Sequence, residues 1–202
     1  MPAAAGLPET RDAILHAAEG RFGRLGYSAT SMSGIAEDAQ VSRPLIYRYF
    51  RDKDSLYRTV VTRVLTEWND ALVEVAARSV PTTAHTIDAL VESCIEWAGS
   101  RTMLRGVLLR DHDVVRRVAL QEIEEGRDLL PALIERVLVS GVARGDVRSD
   151  LEPAVMAEVL TQAITAASLQ VMTVGPDEGT ARRTRAMAEV LLHGVVITPG
   201  LS

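Results

Sequence analysis

With 202 residues, 47% of them hydrophobic, the chain can bury a sizeable core in one or two domains. Its single cysteine, Cys94, excludes an intramolecular disulfide and fits a reducing compartment. A net charge of −5 opposes loose adhesion to nucleic acid, so affinity for phosphates has to come from a local basic surface and from pairing two copies. Aromatic residues amount to only 4%; Leu, Val, Ile and Ala must fill the core, a mixture that favours an all-helical protein. No uninterrupted apolar run approaches ~18 residues. The start, MPAAAGLPETR, has no charged-then-apolar leader, and a soluble cytoplasmic protein is expected.

Residues 1–9 hold two prolines and mostly small side chains, and are expected to form a flexible arm. Thr10 can cap a helix running to about Leu25, with Gly26 at its C′ position and Ile14, Ala18, Phe22 and Leu25 as the inner stripe. The next stretch, TSMSGIAEDAQVSRPLIYRYFRDKDSL from Thr30 to Leu56, reads as helix, tight turn, helix and basic exit. Ile35, Ala36 and Ala39 fall on one face, Ile46 and Phe50 repeat the spacing, and Val41 plugs the angle between them, a helix-turn-helix pattern. Ser42 is placed to cap the second helix through the Leu45 N–H, and Arg43 and Pro44 occupy its first turn, where proline's missing N–H costs nothing. With Ile46 and Phe50 inward, Pro44, Leu45, Arg48 and Tyr49 turn outward and Arg43 and Tyr47 stand on the borders. This end of the helix offers a cationic fork, a hydroxyl and apolar surface, which suit guanine edges, phosphates and thymine methyls in a major groove. Asp52 is expected to cap the following helix, with Lys53 just after it. The charge divides accordingly, with eight Lys/Arg against seven Asp/Glu through Arg58 and fourteen against twenty beyond.

From Asp54 to about Ala77, Leu56, Val60, Val64, Trp68 and Val75 recur at helical intervals, giving a helix that links the reader to the rest. Pro81 is a stop, after which Ile87, Leu90, Val91, Cys94, Ile95 and Ala98 continue the period until Gly99. Another helix is expected over about 102–110, interrupted by RDHDVV, and then a long segment to Arg144 with Pro131 inside and a bend near Arg127. Gly145 and Asp146 end it. Two last helices, about Pro153 to Thr173 and Gly179 to Val195, are joined by VGPDEG. Small residues keep the first of them thin while Met156, Val159, Leu160, Ile164 and Leu169 spread apolar character around it, and a helix apolar nearly all round needs two partners.

The N-terminal quarter resembles the tetracycline-repressor (TetR) family of bacterial transcription regulators. Arg11, Ile14, Ala18, Phe22, Gly26, Tyr27, Thr30, Ile35, Ala36, Ala39, Val41, Ser42, Tyr47, Tyr49, Phe50, Lys53 and Leu56 stand where that family's pattern expects such residues. The connector GDVRSDLEP also resembles the family's turn before its last two helices. Gln40 departs from the pattern, which usually has glycine after the first helix of the motif; left-handed backbone at a non-glycine costs roughly 1 kcal/mol.

The resemblance implies an all-α protein, with a three-helix helix-turn-helix DNA-binding domain over 10–55 fused to a helical ligand-binding and dimerisation core over 56–202. Arg43, Pro44 and Leu45 are the residues expected at the bases. Thr30, Ser42, Tyr47, Tyr49 and Lys53 are expected at phosphates, with Arg48 either another such contact or simply exposed. A ligand cavity is implied as well. Its candidate lining is Trp68, Cys94, Trp97, Met103, His112, Met156, Gln162 and Thr165, a mostly apolar set suited to a hydrophobic effector, with core packing the competing reading for the large side chains. A homodimer on the last two helices is implied, with Val159, Ala163, Ala166, Ala167, Gln170, Met187 and Leu191 as candidate interface residues.

The function expected from this is a repressor of a palindromic operator, released by a small molecule and needing no cofactor. Asp111, His112 and Asp113 are the only histidine–acid cluster and lack the further ligands that a metal site needs. Cys94 has no base beside it in its helix, so a small buried apolar residue is expected there rather than a nucleophile. Catalysis is not expected. The competing readings are a constitutive or architectural DNA-binding protein with a filled core, or a helical carrier or enzyme.

Overall fold

Caps and turn residues cut the chain into helices wherever its apolar period stops. The computed structural model describes residues 7–78, 82–101, 103, 120–174 and 178–196; these form eight α-helices and no strand. They fall into two units, one taking in the described residues of 1–65 and 101–123, the other those of 66–100 and 124–202. The division lies inside the fourth helix.

In the first unit, α1 (Leu7–Ala29) begins ahead of Thr10, so Leu7 to Glu9 of the expected arm are already helical; Pro8 sits in the first turn, where it forfeits no bond. At Gly26 the backbone leaves the helical region (φ 74°, ψ 173°), a conformation open to glycine and strained for a side chain. Ile14, Ala18 and Phe22 are buried as their spacing predicts, whereas Leu25, beside the break, is 50% exposed. α2 (Met32–Asp38) is capped by the Ser31 hydroxyl, which accepts from the Gly34 N–H at 3.1 Å. It ends with the Val41 N–H on the Ala36 carbonyl (2.9 Å) and the Gln40 N–H on the Glu37 carbonyl (3.0 Å). That pair of bonds is the Schellman arrangement, and it requires the left-handed backbone found at Gln40, φ 55°.

α3 (Arg43–Tyr49) starts at Ser42 as expected, but the Ser42 side chain makes no cap bond. Its backbone carbonyl takes the Leu45 and Ile46 N–H groups instead, at 2.9 and 3.2 Å. Pro44 has no N–H to offer, which removes one of the two usual targets of a capping hydroxyl. α4 (Lys53–Ala77) is capped reciprocally: Asp52 Oδ1 accepts from the Ser55 N–H at 2.7 Å and the Asp52 N–H donates to Ser55 Oγ at 3.2 Å. Ile14, Leu15, Ile35, Ile46 and Leu56 are fully buried, and the Tyr57 ring meets Phe22 and Tyr27 edge-on at 4.8 and 5.1 Å.

In the second unit, α5 (Thr83–Ser100) packs on α7 (Pro153–Val174), and α8 (Glu178–Val195) packs on both. α6 (Leu120–Arg144) runs as one helix through Pro131. The start of α5 is tied to the connector after α6: Asp146 accepts from the Thr83 N–H (2.9 Å) and hydroxyl (3.1 Å). A Cβ at Gly141 would collide with Thr83 Oγ1 and Val147, so only glycine lets these segments approach. Val147 pairs with Val196, and Arg148 donates to the Val195 and Gly194 carbonyls at 3.0 and 2.9 Å, which fastens the connector to the end of α8. α7 has the length and composition to cross a bilayer, with mean hydropathy 1.3 over 18 residues, although no uninterrupted apolar run reaches that length. Helices inside bundles pass the same test, and α7 buries Met156, Leu160, Ile164 and Val171 in its own unit. The helix expected over 102–110, Met103 excepted, and the RDHDVV turn lie outside the described residues.

Candidate nucleic-acid interface

Ile46 and Phe50 anchor α3 in the first unit, and that rotation decides what the helix shows to solvent. Ser42, Arg43, Pro44, Tyr47 and Arg48 are exposed, Leu45 and Tyr49 half-buried. The basic groups of this unit divide in two. Arg21 holds Asp38 through two bonds of 2.7 and 3.0 Å, Arg24 lies 3.7 Å from the same carboxylate, and Arg51 pairs with Asp52 at 2.8 Å. Among the described residues neither Arg43 nor Arg48 has an ion-pair partner. The acids are correspondingly committed: the Arg21 guanidinium holds the Asp38 carboxyl below its usual range, and the Ser55 N–H, followed by Arg51, does so for Asp52. An exposed helix with unneutralised guanidinium groups is thus left on a unit whose other charges largely cancel.

Thr30 and Lys53 stand apart from the remaining expected phosphate contacts. Thr30 is 2% exposed, and its hydroxyl donates to the Gly26 carbonyl at 2.8 Å. Its side chain is turned inward because it closes the corner that Gly26 opens. Lys53 Nζ donates to the Tyr27 and Thr30 carbonyls at 2.9 and 2.8 Å and lies 4.1 Å from the centre of the Tyr27 ring. Two of its three donors therefore clasp the α1–α2 corner to the start of α4, and one remains. The Tyr27 hydroxyl on Asp54 completes the clasp. Periodicity gives no sign of these contacts, which join residues 23 to 27 positions apart. The role of Gly34 is equally invisible: a Cβ there would land on the Arg21 guanidinium, so glycine makes room for the Arg21–Asp38 pair.

The expected effector residues are scattered. Trp68 and Cys94 are buried together in the second unit, and burial pushes the Cys94 thiol up to about 12 despite a hydrogen bond with Trp68, which leaves it inert. Met156 is buried in the same unit, Met103 is buried in the first, and Trp97 and Thr165 are half-buried. Gln162 is exposed, with its amide on Glu158 at 3.3 Å. His112 lies outside the described residues. Of the expected interface residues, Val159, Ala166 and Gln170 share an exposed face of α7, on which Val155 and Val174 are also bare. Ala163, Met187 and Leu191 are half-buried along a narrow crevice between α7 and α8, and Ala167 is buried within its own bundle. Val190, not singled out by the sequence, is 71% exposed on α8.

Residues 14–60 match the family model described as bacterial regulatory proteins, tetR family. The chain is 24% identical over 157 residues, 75% of each chain, to the HTH-type transcriptional repressor BepR of Brucella suis. Two further curated regulators match at 35% and 33% identity over about a third of their own length, 36% and 37%. Among solved structures, SmeT, the repressor of the Stenotrophomonas maltophilia multidrug efflux pump SmeDEF, superposes with a TM-score of 0.72 at 20% identity, covering 96% of each chain. FadR of Bacillus subtilis, solved in complex with stearoyl-CoA, gives 0.72 at 17% identity, covering 91% of this chain and 98% of that one. The matched segment holds α2, the left-handed turn at Gln40, α3 and the clasp onto α4, and over these residues the chain is similar to the tetR family of bacterial regulatory proteins.

Proposed function

We propose that the protein is a repressor that binds a palindromic operator as a homodimer and is released by a small molecule. The observation that carries this reading is α3 itself, exposed along its outer face with Arg43 and Arg48 unpaired. Arg43 would reach a guanine edge with two of its N–H groups, and Pro44 and Leu45 would pack on a thymine methyl. Ser42, Tyr47, Arg48 and Tyr49, with the remaining proton of Lys53, would hold phosphates and set the register. The bare Ser42 hydroxyl, unused as a cap, supports that assignment.

Two copies would meet through the exposed α7 face of Val155, Val159, Ala166, Gln170 and Val174 together with α8, giving a two-fold four-helix interface. Their readers would then enter successive major grooves about 34–36 Å apart, and an effector preferring another spacing would weaken binding by its differential affinity. The repressors BepR and SmeT, and FadR with its bound stearoyl-CoA, support the regulatory and effector halves by likeness. Selection of sites from a random DNA pool by the purified protein, followed by a salt titration on the winning duplex, tests it. An inverted repeat bound with a steep salt slope is expected; no enrichment overturns the reading.

A further inference from the structure

The second unit contains a half-open cleft of about 510 Å³ whose wall comes from the C-terminal turns of α4, the start of α5 and the last turns of α6. Its volume lies within the range of small-molecule sites, ~300–1,000 Å³. Among the described residues, none of those expected to line an effector cavity or a dimer interface belongs to it. Its lining is of two kinds. Val73, Ala76, Leu133 and Val137 form an apolar floor, of which Val73 is left 46% exposed. Arg78, Arg136 and Arg144 stand around it, and no acid is among the described residues that line it.

The three arginines are not equally occupied. Arg78 is paired with Glu74 at 3.3 Å, both largely in solvent, and Arg144 donates to Thr83 Oγ1 at 2.7 Å with Asp146 at 3.5 Å. Arg136 is exposed and, among the described residues, has no ion-pair partner. The two hydroxyls at the wall add no cationic or free donor: Ser140 donates to the Arg136 carbonyl and Thr86 to the Thr82 carbonyl. Recognition there falls to guanidinium groups, which present planar forks to carboxylates and phosphates. Arg78 and Arg144 each share an acid, whereas Arg136, among the described residues, stands unneutralised beside the apolar floor, which favours an anionic group on the guest and disfavours a cationic one. We infer that this cleft binds an amphiphilic anion, a carboxylate or phosphate headgroup carried on an aliphatic body, with Arg136 as the principal headgroup contact.

This deepens the effector half of the proposed function and rests on it only for any consequence at the operator. The test is calorimetric titration of the full chain, without DNA and below micelle-forming concentrations, with decyl phosphate, decanoate, decyltrimethylammonium and inorganic phosphate. At least one of the two amphiphilic anions binds and the cation does not; the tighter of the two identifies the headgroup. Arg136→Gln, at an exposed position, weakens that binding about tenfold. Ala77→Phe, at the exposed rim, weakens it with every charge retained, and both variants keep the parent melting temperature. The inference is overturned if the cation binds as well as the anions, if inorganic phosphate alone binds as tightly as decyl phosphate, or if both variants bind unchanged. Because no DNA is present, a protein that selects no operator still gives a readable answer.

Discussion

Arg43 stands exposed and unpaired in the first turn of α3, and a base-reading side chain has a signature that a phosphate contact lacks. Arg43→Ala is expected to cost about 1–3 kcal/mol on the selected operator and much less on random duplex; equal losses on both would remove it from the bases. Lys53 does a different job, since two of its donors hold the Tyr27 and Thr30 carbonyls. Lys53→Ala should therefore lower the melting temperature of the free protein as well as weaken all duplexes alike and reduce the salt slope by about 1. A variant with an unchanged melting temperature would mean that the clasp carries no stability. Arg43 could be singled out from the sequence because cap, proline and apolar stripe fix the rotation of α3. The clasp could not, because a lysine that meets two distant carbonyls leaves no periodic trace.

The short elements of the reader depend on their ends, since helices of seven residues have little intrinsic stability. Gln40 holds φ 55° to close the turn after α2. Gln40→Gly should stabilise the protein by up to about 1 kcal/mol in a denaturant titration, as relief of left-handed strain predicts; a loss of stability would mean that the glutamine side chain contributes more than its backbone costs. At the head of α4 the Ser55 N–H, then Arg51, holds the Asp52 carboxyl below its usual range. A depressed carboxylate contributes stability above the unfolded value, ~3.9, and loses it as pH falls through the folded one. Asp52→Ala should accordingly lower the melting temperature near pH 7, with the gap from the parent protein narrowing below about pH 4. A gap independent of pH would assign the loss to packing instead.

At the scale of the whole molecule, the proposed dimer needs the face of α7 that the isolated chain leaves bare. Val159 is 49% exposed, so Val159→Glu should leave the protomer folded while placing a like charge across the two-fold axis. Sedimentation is expected to show a monomer with helical content unchanged and operator affinity reduced, because two half-sites would no longer be bound together. A dimer of undiminished stability would move the interface elsewhere. Ala163, Ala167, Met187 and Leu191, expected with Val159 at an interface from the family resemblance, face the crevice between α7 and α8 or the bundle interior. On a helix apolar nearly all round, spacing does not tell the side that meets its own unit from the side that meets another copy.

Composition and local signals determined the helical class, the position of the helix-turn-helix and the rotation of α3, because caps, stops and apolar periods act within a few residues of each other; the left-handed turn at Gln40 was implied by the family resemblance, not by the glutamine itself. The inward turn of Thr30, the exposure of Leu25, the Lys53 clasp and the room that Gly34 makes for Arg21 were decided by tertiary packing. So was the cleft ringed by Arg78, Arg136 and Arg144: the last two lie on α6 and Arg78 just past the end of α4, with the whole of α5 between them in sequence. A pair of charges that looks like an ordinary solvated face along one helix becomes part of a recognition site only when the apolar floor and a third charge from another segment are folded beside it.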